Sequence, residues 1–102
     1  MTVEVVHIQD PALLQLAWQV RCAVFVKEQG VPAHEELDRH EEESRHFLAR
    51  DMQHVPCGAA RWRFTHEGVK LERFAVLKDR RGQGLGSALL QAVLDDIQNH
   101  PD

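Results

Sequence analysis

Arg80 and Arg81 stand directly before three glycines set at every second position, Gly82, Gly84 and Gly86. Such a segment can hold an anion. Glycines let a backbone approach a ligand closely, successive N–H groups at a helix N-terminus point at negative charge, and guanidinium groups bridge phosphate oxygens. Gln83 and Leu85 supply the intervening backbone positions of the same cradle, and Ser87 the one after it. The plainer alternative is that the glycines close a tight strand-to-helix connection.

A cradle of this kind needs a strand to deliver it and a helix to follow it. Residues 69 to 77 read as the strand. From Gly84 or Leu85 onward, Leu85, Ala88, Leu89, Ala92, Val93 and Ile97 recur at helical spacing, interrupted on that face by Asp96, and Asn99, His100 and Pro101 end the helix. Upstream, residues 2 to 9 are rich enough in β-branched side chains for a first strand. Asp10 is placed to cap a helix that has Pro11 at its first position and an apolar stripe running through Leu13, Leu16, Ala17, Val20 and Val24 to an end near Val26. Residues 45 to 50 and 57 to 64 read as two further strands, and Thr65-His66-Glu67-Gly68 as a hairpin turn into 69 to 77. The expected fold class is α/β (α+β), a mainly antiparallel sheet flanked by helices, in a single domain spanning residues 1–102.

Composition narrows the function classes. The 102 residues carry 16 acidic against 12 basic side chains, a formal charge of -4 that gives no case for nucleic acid or an anionic membrane as partner. No run of about 18 apolar residues and no charged-then-apolar leader is present, so a cytoplasmic location is expected. Cys22 and Cys57 lack paired spacing and read as structural free thiols, with a disulfide open only if the two meet in space. Glu35, Glu36, Asp38, Glu41, Glu42 and Glu43 crowd into a polar segment from about residue 27 to 44, which suits a short helix or solvated loop. Their spacing is not that of a calcium loop, and His40 and His46 lack the companions of a zinc site, so no metal is expected.

Arg81-Gly82-Gln83-Gly84-Leu85-Gly86 lacks the Gly-Lys-Ser/Thr ending of a P-loop, and a dinucleotide fingerprint expects its glycines on an early strand-to-helix turn. The segment resembles instead the acetyl-CoA motif of the GNAT superfamily of N-acetyltransferases, Arg/Gln-x-x-Gly-x-Gly/Ala between the fourth strand and the next helix, and matches it in full. Phe74-Ala75-Val76 before it and Ala88-Leu89-Leu90 after it resemble the family too. So do Arg21, Val24-Phe25-Val26-Lys27-Glu28-Gln29, Glu36, Asp38 and His46, which are similar to a branch of small GNAT proteins. The resemblance covers roughly residues 3 to 100.

It implies an N-acetyltransferase that moves an acetyl group from acetyl-CoA, its cofactor, to a primary amine. Arg81, Gly82, Gln83, Gly84, Leu85, Gly86 and Ser87 would then bind the cofactor, with Phe74 and Val76 as the fourth-strand backbone positions that bond the pantetheine arm. Family members usually continue into a fifth strand, another helix and one or two final strands, so the resemblance implies a sheet incomplete at the C-terminus. The tyrosine that often protonates the departing thiolate has no counterpart, since the chain contains no tyrosine. A second reading is a non-catalytic CoA-binding or assembly module left by truncation. An unfilled edge at 69 to 77 would also favour a homodimer.

Direct attack by the amine needs a proton acceptor and a donor for the thioester oxygen. The Val76 N–H suits the oxygen. Glu72 is the first choice for the base, because the resemblance puts a glutamate on the fourth strand in some family enzymes and because alternation sets it on the face of Phe74 and Val76. Its bland alternative is a solvated or salt-bridged strand residue. Glu28 and His46 are secondary candidates, His46 being better suited to a local hydrogen bond. Arg61 and Arg63 could bind an acidic substrate, although alternation on a wet strand face favours simple solvation, and Trp62 reads as core.

Overall fold

The computed structural model describes residues 3–100, so Thr2 and Pro101, which the expected first strand and last helix end include, lie outside the described residues. Four strands follow one another in space as in sequence: β1 (Val3–His7), β2 (Arg45–Asp51), β3 (Pro56–Thr65) and β4 (Gly68–Val76). Every neighbouring pair is antiparallel. Between β1 and β2 lie α1 (Pro11–Arg21), a wider π-type continuation (Cys22–Glu28) and the short α2 (Ala33–Glu36), while α3 (Leu85–Gln98) follows β4. The sheet is open, with β1 and β4 at its edges.

Helix α1 begins where the sequence directs it to. The Asp10 carboxylate accepts the Ala12 N–H at 2.8 Å, a cap worth about 1 kcal/mol, and Pro11 occupies the first turn. The expected end near Val26 falls inside the π-type segment, which runs on to Glu28 and closes with the Gln29 N–H donating to the Val24 carbonyl at 3.1 Å.

Each face of the sheet carries one helix. Leu48, Ala59 and Ala75 pack against Ala17, Val20 and Val24 on the α1 side. On the other side, Phe47, Ala49, Ala60 and Trp62 pack against Leu85, Leu89 and Val93 of α3. Burying each large apolar side chain contributes about 1.5–3 kcal/mol. Asp96, which interrupts the apolar stripe of α3, accepts the indole N–H of buried Trp62 at 2.8 Å and the Arg45 Nε–H at 2.6 Å. Cys22 and Cys57 are free thiols, and no helix among the described residues is long and apolar enough to cross a membrane.

The β3–β4 ladder slips between Ala59 and Arg61, where β4 spends one residue more than β3. Arg73 sits in this bulge at φ +58°, the left-handed region. Close packing elsewhere leaves little room for change. A Cβ on Gly58 would meet Leu89 Cδ1 at 3.0 Å and the Ala75 carbonyl oxygen at 3.1 Å. Because the carbonyl belongs to the ladder and cannot swing away, Gly58→Ala should cost about 1–3 kcal/mol; urea denaturation would show it as a lower midpoint with an unchanged slope.

Candidate active site

The free edge of β4 and the loop that leaves it form one surface. Val76 is partnered with Gly58, and the Leu77 N–H donates to the Cys57 carbonyl at 3.0 Å. This is the pattern of a non-hydrogen-bonded pair, so the N–H and C=O of Val76 turn away from β3 and over the edge. Arg81 reaches that edge. Its Nε–H donates to the Val76 carbonyl at 3.0 Å, and its terminal nitrogens donate to the two Glu28 carboxylate oxygens at 2.7 and 2.6 Å.

A single 3₁₀ turn (Lys78–Arg80) leads into the glycine loop. Gly82 and Gly84 have φ of +81° and +83°, conformations that other residues enter only with strain. Gly86 is a different case. It lies in the first turn of α3 without a positive φ, where glycine costs roughly 1 kcal/mol relative to alanine. A Cβ at Gly82, Gly84 or Gly86 would meet no protein atom within 4 Å. The fold itself therefore gives no packing reason for glycine at 86. Open space over uncapped N–H groups at the start of α3 fits a group whose anionic oxygens come down onto the backbone. Gln83 and Ser87 are exposed, whereas the Leu85 side chain is buried and leaves only its backbone to the loop. Arg80 donates to Asp51 at 2.8 Å, so both guanidinium groups of the loop are engaged by carboxylates of this chain. A cleft of 470 Å³ opens beside it, lined by Val24, Lys27, Glu28, Leu77, Lys78 and Arg80.

Glu72 is not where alternation puts it. The bulge at Arg73 shifts the phase, so Glu72 pairs with Arg61 and shares the α1 side with Ala75, while Phe74 and Val76 pack on the α3 side. Its Oε2 accepts from Arg61 Nη2 at 2.7 Å, Arg61 Nε at 3.0 Å and Arg63 Nε at 3.1 Å. Burial would push the carboxyl up, but the hydrogen bonds from Arg63 and Arg61 outweigh it and hold Glu72 below its ordinary range. Glu72 is thus ionised and a weak base.

The expected solvation of Arg61 is also overturned, and the acidic run divides: Glu35 and Glu36 end the short helix α2 and Glu35, Glu42 and Glu43 are exposed, as a short helix or solvated loop implies, while Glu36, Asp38 and Glu41 are paired. Arg61 is 0% exposed and donates to Asp38 at 2.8 and 3.0 Å as well as to Glu41 and Glu72. Glu36 and Arg21 are buried and bonded at 2.6 Å, and Arg21 also binds Glu41, which accepts the Trp18 indole N–H at 2.6 Å as well. Arg73 donates from the bulge to the carbonyls of Glu35 and Glu36 and to Asp38. The cause is long-range pairing: the partners lie 20 or more residues apart in most of these contacts. No local pattern announces it. His46 takes the local hydrogen bond expected of it, Nε2 to the Glu41 carbonyl at 2.9 Å, and Glu28 is committed to Arg81.

Comparison with known proteins decides the family. The acetyltransferase (GNAT) domain family matches residues 12–102. The chain belongs to this family. It is 48% identical over 80 residues to the uncharacterised N-acetyltransferase YjcF of Bacillus subtilis, a match covering 78% of this chain and 56% of that protein. YyaT of the same organism is 32% identical over 90 residues, with 85% and 60% covered. The chain thus spans little more than half the length of these relatives. Among solved structures, Escherichia coli ElaA superposes with a TM-score of 0.79 at 25% identity, over 97% of this chain and 70% of that one. A candidate N-acetyltransferase of Lactobacillus plantarum gives 0.87 at 23%, over 99% and 70%, which shows the fold. The open four-stranded antiparallel sheet is a partial GNAT architecture.

The ion network in this GNAT chain titrates in a defined order. Burial, outweighing the pull of Glu41, lowers the pKa of His46 from 6.5, so its neutral form stabilises the fold above that pH and the contribution is lost as pH falls below it. Asp38, bonded to Arg61, is lowered too; in Glu41 burial is outweighed by Arg21, as it is by Arg63 and Arg61 in Glu72. These carboxylates stabilise the fold above their ordinary values near 4 and stop doing so as pH falls through their lowered ones. Thermal midpoints followed by circular dichroism from pH 8 to 3 should therefore decline first below about 6.5 and more steeply below about 4. A midpoint flat down to pH 3 would contradict this account.

Proposed function

We propose that the chain is the acetyl-CoA-binding portion of an N-acetyltransferase acting on a primary amine, with the cofactor lying along the β4 edge and its diphosphate on the loop from Arg81 to Ser87. The observation that carries this reading is Gly86, a helix-destabilising residue facing open space in the turn where a phosphate would meet the backbone. The N–H groups of Gly82, Gln83, Gly84, Leu85, Gly86 and Ser87 are the proposed phosphate donors. Phe74 and Val76 offer the edge to the pantetheine arm. Bound acetyl-CoA supplies an activated acetyl thioester.

The remaining chemistry falls to this chain's residues. The outward Val76 N–H is proposed to donate to the thioester oxygen, where charge develops during attack. Glu72 Oε1 lies outside the guanidinium clamp, 3.7 Å from Lys70 Nζ, and is proposed to receive the acceptor amine directly or through water. Its lowered pKa suits it to orienting the acceptor's ammonium form and not to keeping its proton, so water takes the proton that frees the amine for attack and the proton released as the amide forms. The acceptor then approaches from the α1 side and the cofactor from the edge. A second reading, binding without turnover, draws on the same clamp, since a carboxylate held by two arginines has little basicity to offer. Pairing with a second copy through β4 would consume the Val76 N–H, so a homodimer of that kind competes with the cofactor.

Calorimetric titration with acetyl-CoA tests the binding, with saturation near one per chain expected. Gly86→Ala should raise stability by about 0.5–1 kcal/mol and lower acetyl-CoA affinity on the order of tenfold; equal affinity in the two proteins would remove the phosphate from this turn. In a primary-amine screen run where circular dichroism shows Glu72→Gln still folded, the variant should cut turnover by about a hundredfold through lost orientation with acetyl-CoA affinity unchanged. Full turnover in that variant would take Glu72 out of the site, and no product with any amine would favour the non-catalytic reading.

A further inference from the structure

We infer that Glu28 and Arg81 form a brace that shapes the glycine loop, so that both are positioning residues and Arg81 serves the phosphates through the loop's conformation rather than by contact. The inference rests on the loop being the cofactor's phosphate site.

Three donors of Arg81 are already in use. Nε–H bonds the Val76 carbonyl, and the two terminal nitrogens form a fork onto Glu28 at 2.6 and 2.7 Å. A planar guanidinium held in this way ties together three parts of the chain: the end of β4, the end of the π-type segment and the residue just before Gly82. The anchor is itself fixed. The Gln29, Gly30 and Val31 N–H groups donate back to Val24, Val26 and Phe25 at 3.1, 3.1 and 2.8 Å, which pins the segment end that carries Glu28. Hydrogen bonds from Arg81 hold the Glu28 carboxyl below its ordinary range, so the pair stays charged at neutral pH.

The loop needs such a restraint. Gly82 and Gly84 have more backbone freedom than any other residue type, and no protein atom lies within 4 Å of their Cβ positions to confine them. Arg81 precedes them directly. The sign of the effect separates a brace from a simple charge. Glu28 is an anion beside a proposed anion site, so if charge alone mattered, its removal would tighten binding. A brace predicts the opposite, because an unrestrained loop loses conformational entropy when it orders on the ligand. Lysine at 81 keeps the charge and cannot make the fork.

The test uses the 102-residue chain with Glu28→Gln, Arg81→Lys and the double variant, each probed in two ways. In the free proteins, backbone ¹⁵N order parameters at Gly82 and Gly84 should fall below wild type in every variant. In calorimetric titrations with CoA, each single variant should bind on the order of tenfold more weakly, and the double variant no more weakly than the worse single one. Glu28 and Arg81 side chains are 34% and 42% exposed, so the fold should persist, and thermal midpoints checked alongside should shift far less than affinity. Unchanged order parameters would overturn the brace. So would tighter CoA binding by Glu28→Gln with wild-type affinity in Arg81→Lys, the signature of Arg81 touching phosphate as a charge. A wild-type chain that binds no CoA would overturn the cofactor reading instead, whatever the order parameters show.

Discussion

A guanidinium removed entirely from solvent must be neutralised where it stands, and Arg61 sets that requirement at the centre of the sheet. Asp38 and Glu41 come to it from the loop between α2 and β2, and Glu72 comes from β4. The consequence spreads outward. Glu41 carries Arg21 and the Trp18 indole with it, which fixes α1, and Asp38 carries Arg73, which fixes the bulge. A polar segment with too few apolar residues to join the core is thereby ordered by charge. Removing one member of such a group is expected to cost about 3–5 kcal/mol, since it strands a buried partner.

The same network separates two sets of residues that strict alternation would mix. Arg73, at φ +58°, gives β4 its extra residue, and its side chain bonds the carbonyls of Glu35 and Glu36. A left-handed arginine carries strain that these contacts offset. Because of the bulge, Glu72 faces the ion network while Phe74 and Val76 face α3. The proposed acceptor side is therefore the α1 face of β4 and the proposed cofactor side its free edge, where the Val76 N–H points.

What could be read from the sequence divides along the range of the interaction. The four strands, the Asp10 cap, the antiparallel order and the glycine loop are written in neighbours a few residues apart, and the structure has them close to where periodicity and turn chemistry put them. The bulge has no such signature, because an arginine at positive φ follows from its distant partners and not from its own type. That is why alternation alone puts Glu72 on the wrong face. The pairing within the acidic run is hidden for a similar reason: charge density is visible in the sequence, but the arginines that neutralise Glu36, Asp38 and Glu41 stand at positions 21, 61 and 73, beyond any local window. Asp96 could have been found, as a lone carboxylate on an apolar stripe calls for a buried donor, and Trp62 supplies one.

The edge at Val76 is shaped for a short polar ligand more than for a long strand. A pairing strand needs alternating donors and acceptors in unbroken register, and β4 breaks that register at Arg73. Arg81 already bonds the Val76 carbonyl, leaving the N–H as the freer of its two groups. An amide-bearing chain running along the edge can use that one donor and share the carbonyl's second lone pair without displacing Arg81. Displacing Arg81 would release Glu28 as well, and with it the restraint on the glycines that follow. The strand edge and the loop are thus joined through a single side chain, so a change at one is felt at the other.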